Sequence, residues 1–260
     1  MDTPAVELLA AEKVFANGVR GLAPIDLKFA RGEFLSLIGP SGCGKSTLLK
    51  LVANLAEPSD GRVQWWRGGF AGVGQPGRRL AFVFQDATLM PWARVEANVS
   101  LPLSLARVPR AEAAPRVAAA LAQVGLQGRA RAYPSQLSGG MRMRVSIARA
   151  LVTEPDLLLM DEPFGALDEF TRNRLDEDLA RLSWERRLTT AFVTHSIYEA
   201  VFLSTRIAVM AANPGRIFAQ FTVDEPLPRT EAFRTSARFA ALCRELSALL
   251  ADASIASQGA

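Results

Sequence analysis

Short apolar runs separated by helical periodicities set the character of this chain. Phe34 to Ile38, Leu80 to Phe84, Leu157 to Met160, Thr190 to Val193 and Ile207 to Met210 are near-continuous apolar stretches of strand length. Such runs mark strands covered on both faces, as in a parallel sheet. Helix-favouring segments lie between them, among them Leu48 to Ala53 and Arg144 to Leu151. The alternation predicts an α/β domain with a mainly parallel core sheet, whose ligands gather at the carboxyl ends of the strands. The N-terminal part differs. Val6 to Phe15 and Ile25 to Ala30 alternate apolar and polar positions loosely, with Asn17-Gly18 as a turn signal between them, so an antiparallel edge sheet is expected there.

From about Asp86 to Thr153 β-branched runs become rare and an Ala-rich helical pattern covers Ala114 to Val124, which predicts a helical lobe inserted between two strands. Pro115 fits near the first turn of that helix, because an interior proline removes a backbone bond and clashes with the preceding turn. The glycine-dense stretch Gly68 to Gly77 reads as a loop. Past Pro214-Gly215-Arg216, Ala237 to Leu250 reads as an amphipathic helix within a C-terminal extension covering about 217–260. Residues 1–260 are expected to form one domain with a lobe, since a chain of this length can bury a substantial core.

Composition narrows the setting more than the chemistry. With 49% apolar and 22% charged residues the balance is that of an ordinary globular protein. No stretch approaches the ~20 uncharged apolar residues of a membrane span, and Met1-Asp2-Thr3-Pro4 lacks the charged-then-apolar pattern of a leader, so a cytoplasmic protein is expected. Cys43 and Cys243 lie far apart, which argues against a disulfide framework. Cys43 is best read as a small loop-filling residue, the other reading being a thiol activated at a helix start. The net charge of +4 permits anionic partners, but no block of five or six like charges occurs, so nucleic acid is not indicated. A mildly basic face near anionic lipid explains the charge equally well.

The chemistry begins at Gly39-Pro40-Ser41-Gly42-Cys43-Gly44-Lys45-Ser46-Thr47, a G-x-x-x-x-G-K-S pattern between the strand Phe34 to Ile38 and the helical Leu48 to Ala53. Glycines let successive N–H groups converge on a phosphate, and the helix start adds the positive end of its dipole. Lys45 is placed to reach the β/γ oxygens, and the Ser46 hydroxyl is a candidate Mg²⁺ ligand. A glycine turn that merely caps a helix is the alternative. Against it stands the scarcity of lysine: Lys13, Lys28, Lys45 and Lys50 are the lysines among 30 basic residues.

Leu157-Leu158-Leu159-Met160-Asp161-Glu162 is a second candidate, an apolar strand ending in two carboxylates. Asp161 at the strand tip can hold Mg²⁺, directly or through water, while Glu162 is free to polarise a water attacking the γ-phosphate. Leu137-Ser138-Gly139-Gly140 opens a helical pattern and offers hydroxyl and backbone donors to an anion, although as physics alone a mere helix cap is the readier reading.

Phosphate loop, Gln85, Leu-Ser-Gly-Gly, strand-Asp161-Glu162, Gly165-Ala166-Leu167-Asp168 and Thr194-His195 follow the order and spacing of the nucleotide-binding subunit of ATP-binding cassette (ABC) transporters, which the chain resembles over about residues 6–216. The resemblance implies a phosphate-loop NTPase core with an N-terminal antiparallel β subdomain and an inserted α-helical subdomain. It also implies a head-to-tail dimer with two ATP molecules, each between one subunit's phosphate loop and the other's Ser138, Gly139 and Gly140. It assigns Phe15 to the adenine, Gln85 to the metal and attacking water, Asp168 to contacts across the dimer, and His195, the only histidine, to the γ-phosphate.

A finer resemblance is to the branch importing nitrate, sulfonates and taurine. Leu89-Met90-Pro91-Trp92 is similar to its L-L-P-W, and Asn213-Pro214-Gly215-Arg216-Ile217 to its R-P-G-R-I; Met141 is frequent in that branch. Two departures stand out: Met143 where glutamine is usual, and Ser196 where aspartate is usual. The resemblance implies an ATPase motor on the cytoplasmic face of the membrane, partnered by permease subunits and served indirectly by a periplasmic or extracellular solute-binding protein. Trp92 would then be an anchor for the permease, whereas packing within the helical lobe is the plainer reading of a tryptophan. A soluble cassette protein not coupled to a permease is the competing class. The interval between Gln85 and Ser138 is too short for the long coiled coil of DNA-repair cassettes, and a single set of motifs does not fit the paired cassettes of ribosome-acting relatives.

Overall fold

The computed structural model describes residues 4–66 and 79–258, so the predicted loop Gly68 to Gly77 lies outside the described residues. In chain order the first strands and helix are β1 (Val6–Val14), β2 (Arg20–Phe29), β3 (Phe34–Ile38), α1 (Lys45–Val52), β4 (Asp60–Trp65) and β5 (Leu80–Val83). Helices α2 (Val95–Leu105), α3 (Arg110–Gln123) and α4 (Gly139–Leu151) follow, then β6 (Leu157–Asp161) and α5 (Glu169–Arg186). The chain closes with β7 (Thr189–Val193), α6 (Ile197–Leu203), β8 (Arg206–Ala211), β9 (Arg216–Thr222), α7 (Glu231–Arg234) and α8 (Ala237–Gln258). Two compact units result, one from residues up to 66 together with those from 179 onward, the other from residues 67–178.

The first unit contains the expected N-terminal antiparallel sheet. β1 pairs with β2, Val6 opposite Phe29, and also with β4, Val6 opposite Trp65. β4 has no apolar run to announce it: Asp60-Gly61-Arg62 opens it, and Gly61 is required because a Cβ there would collide with the Ala10 carbonyl. The core strands are plainer. β3 lies between β7 and β8, parallel to both, with Phe34 opposite Thr190 and Leu35 opposite Arg206. Every residue of β3 and β7 is buried, as their apolar runs require. β9 adds an antiparallel edge to β8, Arg206 opposite Thr222. α8 buries Phe239, Leu242, Cys243, Leu246 and Ala253, extending the expected amphipathic helix by two turns.

In the second unit β5 and β6 run parallel, Leu80 opposite Leu157 and Val83 opposite Met160. Helices α2, α3 and α4 lie between them in the chain and pack on one another. Pro115 is not in the first turn. α3 begins at Arg110, behind Pro109, so Pro115 sits inside the helix. The position is tolerated because both Pro115 and Ala111, whose carbonyl loses its partner, are exposed to solvent.

Candidate nucleotide site

The phosphate-loop motif forms a tight turn from the end of β3 into α1. Gly42 and Gly44 adopt left-handed φ values of 78° and 91°, and Gly44 is the N-cap of α1. Space forbids side chains as well: a Cβ at Gly39 would strike the Met210 carbonyl, and one at Gly44 would strike Leu22. The Lys45 ammonium is folded over the loop, donating to the carbonyls of Gly39 (2.8 Å) and Pro40 (3.0 Å). Ser46 and Thr47 occupy the first turn of α1, and Ser41 stands exposed at the loop tip. Cys43 is fully buried, its Sγ 3.7 Å from the Lys45 Nζ. Burial pushes the thiol above its ordinary pKa despite the neighbouring ammonium, so Cys43 fills space and is not an activated thiol.

The floor of this loop is a junction that the motif does not reveal. The Ala23 N–H donates to Gly215 O (2.8 Å), and the Gly215 N–H to Gly21 O (3.3 Å). A Cβ on Gly215 would overlap the Cys43 carbonyl. Gly21 touches the Phe15 ring on its other side, so Phe15, 42% exposed, lies one residue from the loop. His195 reaches the same edge through β7, whose Val193 is opposite Leu37, and the Thr194 N–H donates to Leu37 O at 3.3 Å. Phe15, Gly39 to Thr47 and His195 thus belong to one unit.

Gln85, Ser138 to Gly140, Asp161 and Glu162 belong to the other unit. Gln85 lies just past Val83, which is opposite Met160, so Gln85 and the Asp161-Glu162 pair leave neighbouring strands at the same end. Glu162 has φ 47°, a left-handed conformation disfavoured for a residue with a Cβ. Ser138 caps α4, its hydroxyl accepting from the Met141 N–H at 3.3 Å. Gly140 must be glycine, because a Cβ would collide with Thr171, and Gly139 faces Leu167. The Leu-Ser-Gly-Gly turn is therefore packed on the segment containing Asp168. Asp168 accepts from the Thr171 N–H at 3.0 Å, which holds its carboxyl below the usual range.

Two polar residues of this unit carry no sequence motif. Arg149 of α4 donates to the carbonyls of Ala87 and Thr88, each at 2.9 Å, immediately beyond Gln85. Asn98 of α2, fully buried, accepts from the Met90 N–H (2.8 Å) and donates to the Met90 (3.2 Å) and Ala93 (3.1 Å) carbonyls. Between these clamps Trp92 is 76% exposed, which excludes packing inside the lobe. Of the two departures, Met143 is buried in α4 and Ser196 caps α6, accepting from the Glu199 N–H at 3.3 Å as aspartate would.

A glycine loop at a strand end, a capped helix start and a strand tipped by two carboxylates define an ATP-binding cassette. The ABC transporter family matches residues 22–165, more than half of the chain, and the chain belongs to it. The chain is 45% identical to the aliphatic sulfonates import ATP-binding protein SsuB of Bacillus licheniformis over 231 residues, covering 88% of this chain and 87% of that one. It is 43% identical to the taurine import ATP-binding protein TauB of Rhizobium johnstonii over 242 residues, 91% of each chain. Its fold matches the dimeric, post-hydrolysis ATP-binding cassette MJ0796 bound to ADP and Pi, with TM-score 0.71 and 30% identity, covering 85% of this chain and all of that one. The protein is an ATP-hydrolysing cassette, an ATP-binding subunit of the importer type whose relatives are named for sulfonates and taurine. No helix among the described residues is long and apolar enough to cross a membrane.

Proposed function

We propose that this chain drives uptake of a small organic or inorganic anion, such as a sulfonate, taurine or nitrate, by hydrolysing ATP beneath a permease on the cytoplasmic face of the membrane. The names of the relatives support the substrate class. The loop after β3 carries the nucleotide reading: Gly42 and Gly44 adopt left-handed φ, a Cβ at Gly39 or Gly44 would collide with neighbouring atoms, and the turn surrounds a buried lysine. On binding ATP, Lys45 exchanges the Gly39 and Pro40 carbonyls for phosphate oxygens, while N–H groups from Pro40's successors to Thr47 face the phosphates and Phe15 stacks on adenine. Ser46, Asp161 and Gln85 present oxygen donors only, a set that suits Mg²⁺ better than a softer metal. These three would hold the ion, which supplies neutralisation of charge on the phosphates.

Glu162 orients the attacking water and accepts its proton, and His195 contacts the γ-phosphate. The position of Glu162 directly after Asp161, at the tip of β6, supports this assignment. Ser138, Gly139 and Gly140 serve the nucleotide of a second copy in a head-to-tail dimer. Residues 1–260 act as one cassette, with the lobe at about 86–153 meeting the permease through Trp92; a solute-binding protein delivers cargo to that permease, and no nucleic acid takes part. Lys45→Ala should weaken ATP binding and turnover together, whereas Glu162→Gln should retain ATP unhydrolysed and lengthen dimer lifetime. Parent-rate turnover by the glutamine variant would refute Glu162 as the base. Purification from the native membrane should bring down a multi-span permease; its absence from a cassette active as an ATPase would favour the uncoupled alternative.

A further inference from the structure

The last turn of α8 has no part in the reading above, yet it is bonded to the turn that underlies the phosphate loop. The Ser257 hydroxyl accepts from the Ala212 N–H at 2.8 Å, within a buried setting. Asn213 Nδ2 donates to Ser257 O at 3.1 Å, and Arg216 Nη2 to Ala256 O at 2.9 Å. Arg216 Nη1 also bridges back to Ala212 O (3.1 Å) and Pro214 O (3.3 Å). One guanidinium, one carboxamide and one hydroxyl thus fix residues 212–216 to the end of α8. Inside that turn, Gly215 lies against the Cys43 and Gly21 carbonyls, and Met210, two residues before it, lies against Gly39. The contact path runs from α8 to the phosphate loop without a gap.

We infer that Arg216 and Ser257 are positioning residues for ATP, and that the C-terminal helix sets nucleotide affinity by holding the floor of the phosphate loop. The inference rests on the assignment of Gly39 to Thr47 as the phosphate site. The Gly39 to Gly44 loop can present converging N–H groups only while Gly215 and Met210 stay in place, because each approaches loop backbone too closely to move independently. Freeing the turn makes binding depend on re-ordering it. ATP affinity then falls, while the chemistry of an occupied site is unchanged.

The test uses full-length Arg216→Ala, Ser257→Ala and the conservative Arg216→Lys, with Lys45→Ala alongside. Dissociation constants for a fluorescent ATP analogue and steady-state KM and kcat for ATP are measured for each. Networks of this kind modulate coupling by 0.5–2 kcal/mol, so Kd and KM should rise roughly twofold to thirtyfold in both alanine variants with kcat within about twofold, and Arg216→Lys should recover part of the loss. Linkage gives a second readout: ATP should slow hydrogen exchange at residues 253–257 of the parent protein. Unchanged Kd and KM in both alanine variants, even with a lowered melting temperature, would overturn the inference. If Lys45→Ala itself kept full ATP affinity, the phosphate-site assignment would fall, and the inference with it.

Discussion

Replacing Arg229 by methionine should be among the most destabilising changes available outside the nucleotide site. The guanidinium, 4% exposed, donates from Nη1 to the carbonyls of Val201 (2.7 Å), Phe202 (3.0 Å) and Ser204 (2.8 Å). Nη2 donates to Val223 O (3.3 Å) and Glu225 O (3.0 Å), and the group lies 5.4 Å from the centre of the Phe233 ring. The carbonyls of Val201 and Phe202 belong to the end of α6, where the helix supplies no N–H partners of its own. Burial lowers the Arg229 pKa to about 10, so the group remains a cation at neutral pH and its bonds are charge-assisted.

Methionine keeps the apolar stem and loses every donor. Relief of the buried charge offsets part of the loss, and three short bonds lost at the α6 terminus leave a net cost of about 3–5 kcal/mol. That is a large share of the 5–15 kcal/mol that typically stabilises a domain. Urea titration with the slope checked against the parent measures it. Lysine, with three donors, should fall between the two. A methionine variant that lost less than about 1 kcal/mol with an unchanged slope would refute the argument, since five carbonyls cannot be abandoned in a dry site so cheaply.

Four other outcomes are expected. An equal mixture of Ser138→Arg and Lys45→Ala subunits should hydrolyse ATP through mixed dimers holding one intact site; no activity beyond that of either variant alone would count against a shared site. Trp92→Ala should weaken permease binding by ~2 kcal/mol or more and uncouple transport, with isolated ATPase activity and melting temperature little changed, because the indole is already exposed. Burial raises Cys243 from its ordinary 9.0 to about 11, and Cys43 in the same direction, so neither thiol should react with iodoacetamide in the native protein near pH 8. A raised folded pKa favours the folded state fully below 9.0 and ceases to do so as pH climbs through about 11. The urea midpoint should accordingly fall over that window, and less steeply in Cys243→Ala.

The phosphate loop, the carboxylate pair and the parallel strands were legible because each is contiguous: a few neighbouring residues contain both the motif and the strand or helix that positions it. β3, β5, β6, β7 and β8 matched their apolar runs within a residue or two. β4 and β9 did not announce themselves, since each is an edge partner with exposed positions, stabilised by the strand beside it and not by its own pattern. α3 starts earlier than Pro115 suggests, because Pro109 already supplies the boundary and Pro115 lies within the helix. Arg149, Asn98, Arg216 and Arg229 act through carbonyls far away in sequence or several residues off. Side chain to backbone bonds of that kind leave no periodicity, so only a fold can reveal them.

The Asn98 amide has a consequence for docking. A buried asparagine that accepts one N–H and donates to the Met90 and Ala93 carbonyls acts as a template, holding residues 90–93 in one conformation in the isolated protein. Freezing a residue's backbone opposes association by about 1–2 kcal/mol when it happens on contact, so a loop already frozen during folding meets its partner without that opposition. The exposed indole of Trp92 is then carried on a fixed backbone. On the proposed reading of Trp92 as the permease anchor, such a surface favours a pre-shaped groove over an adaptable one.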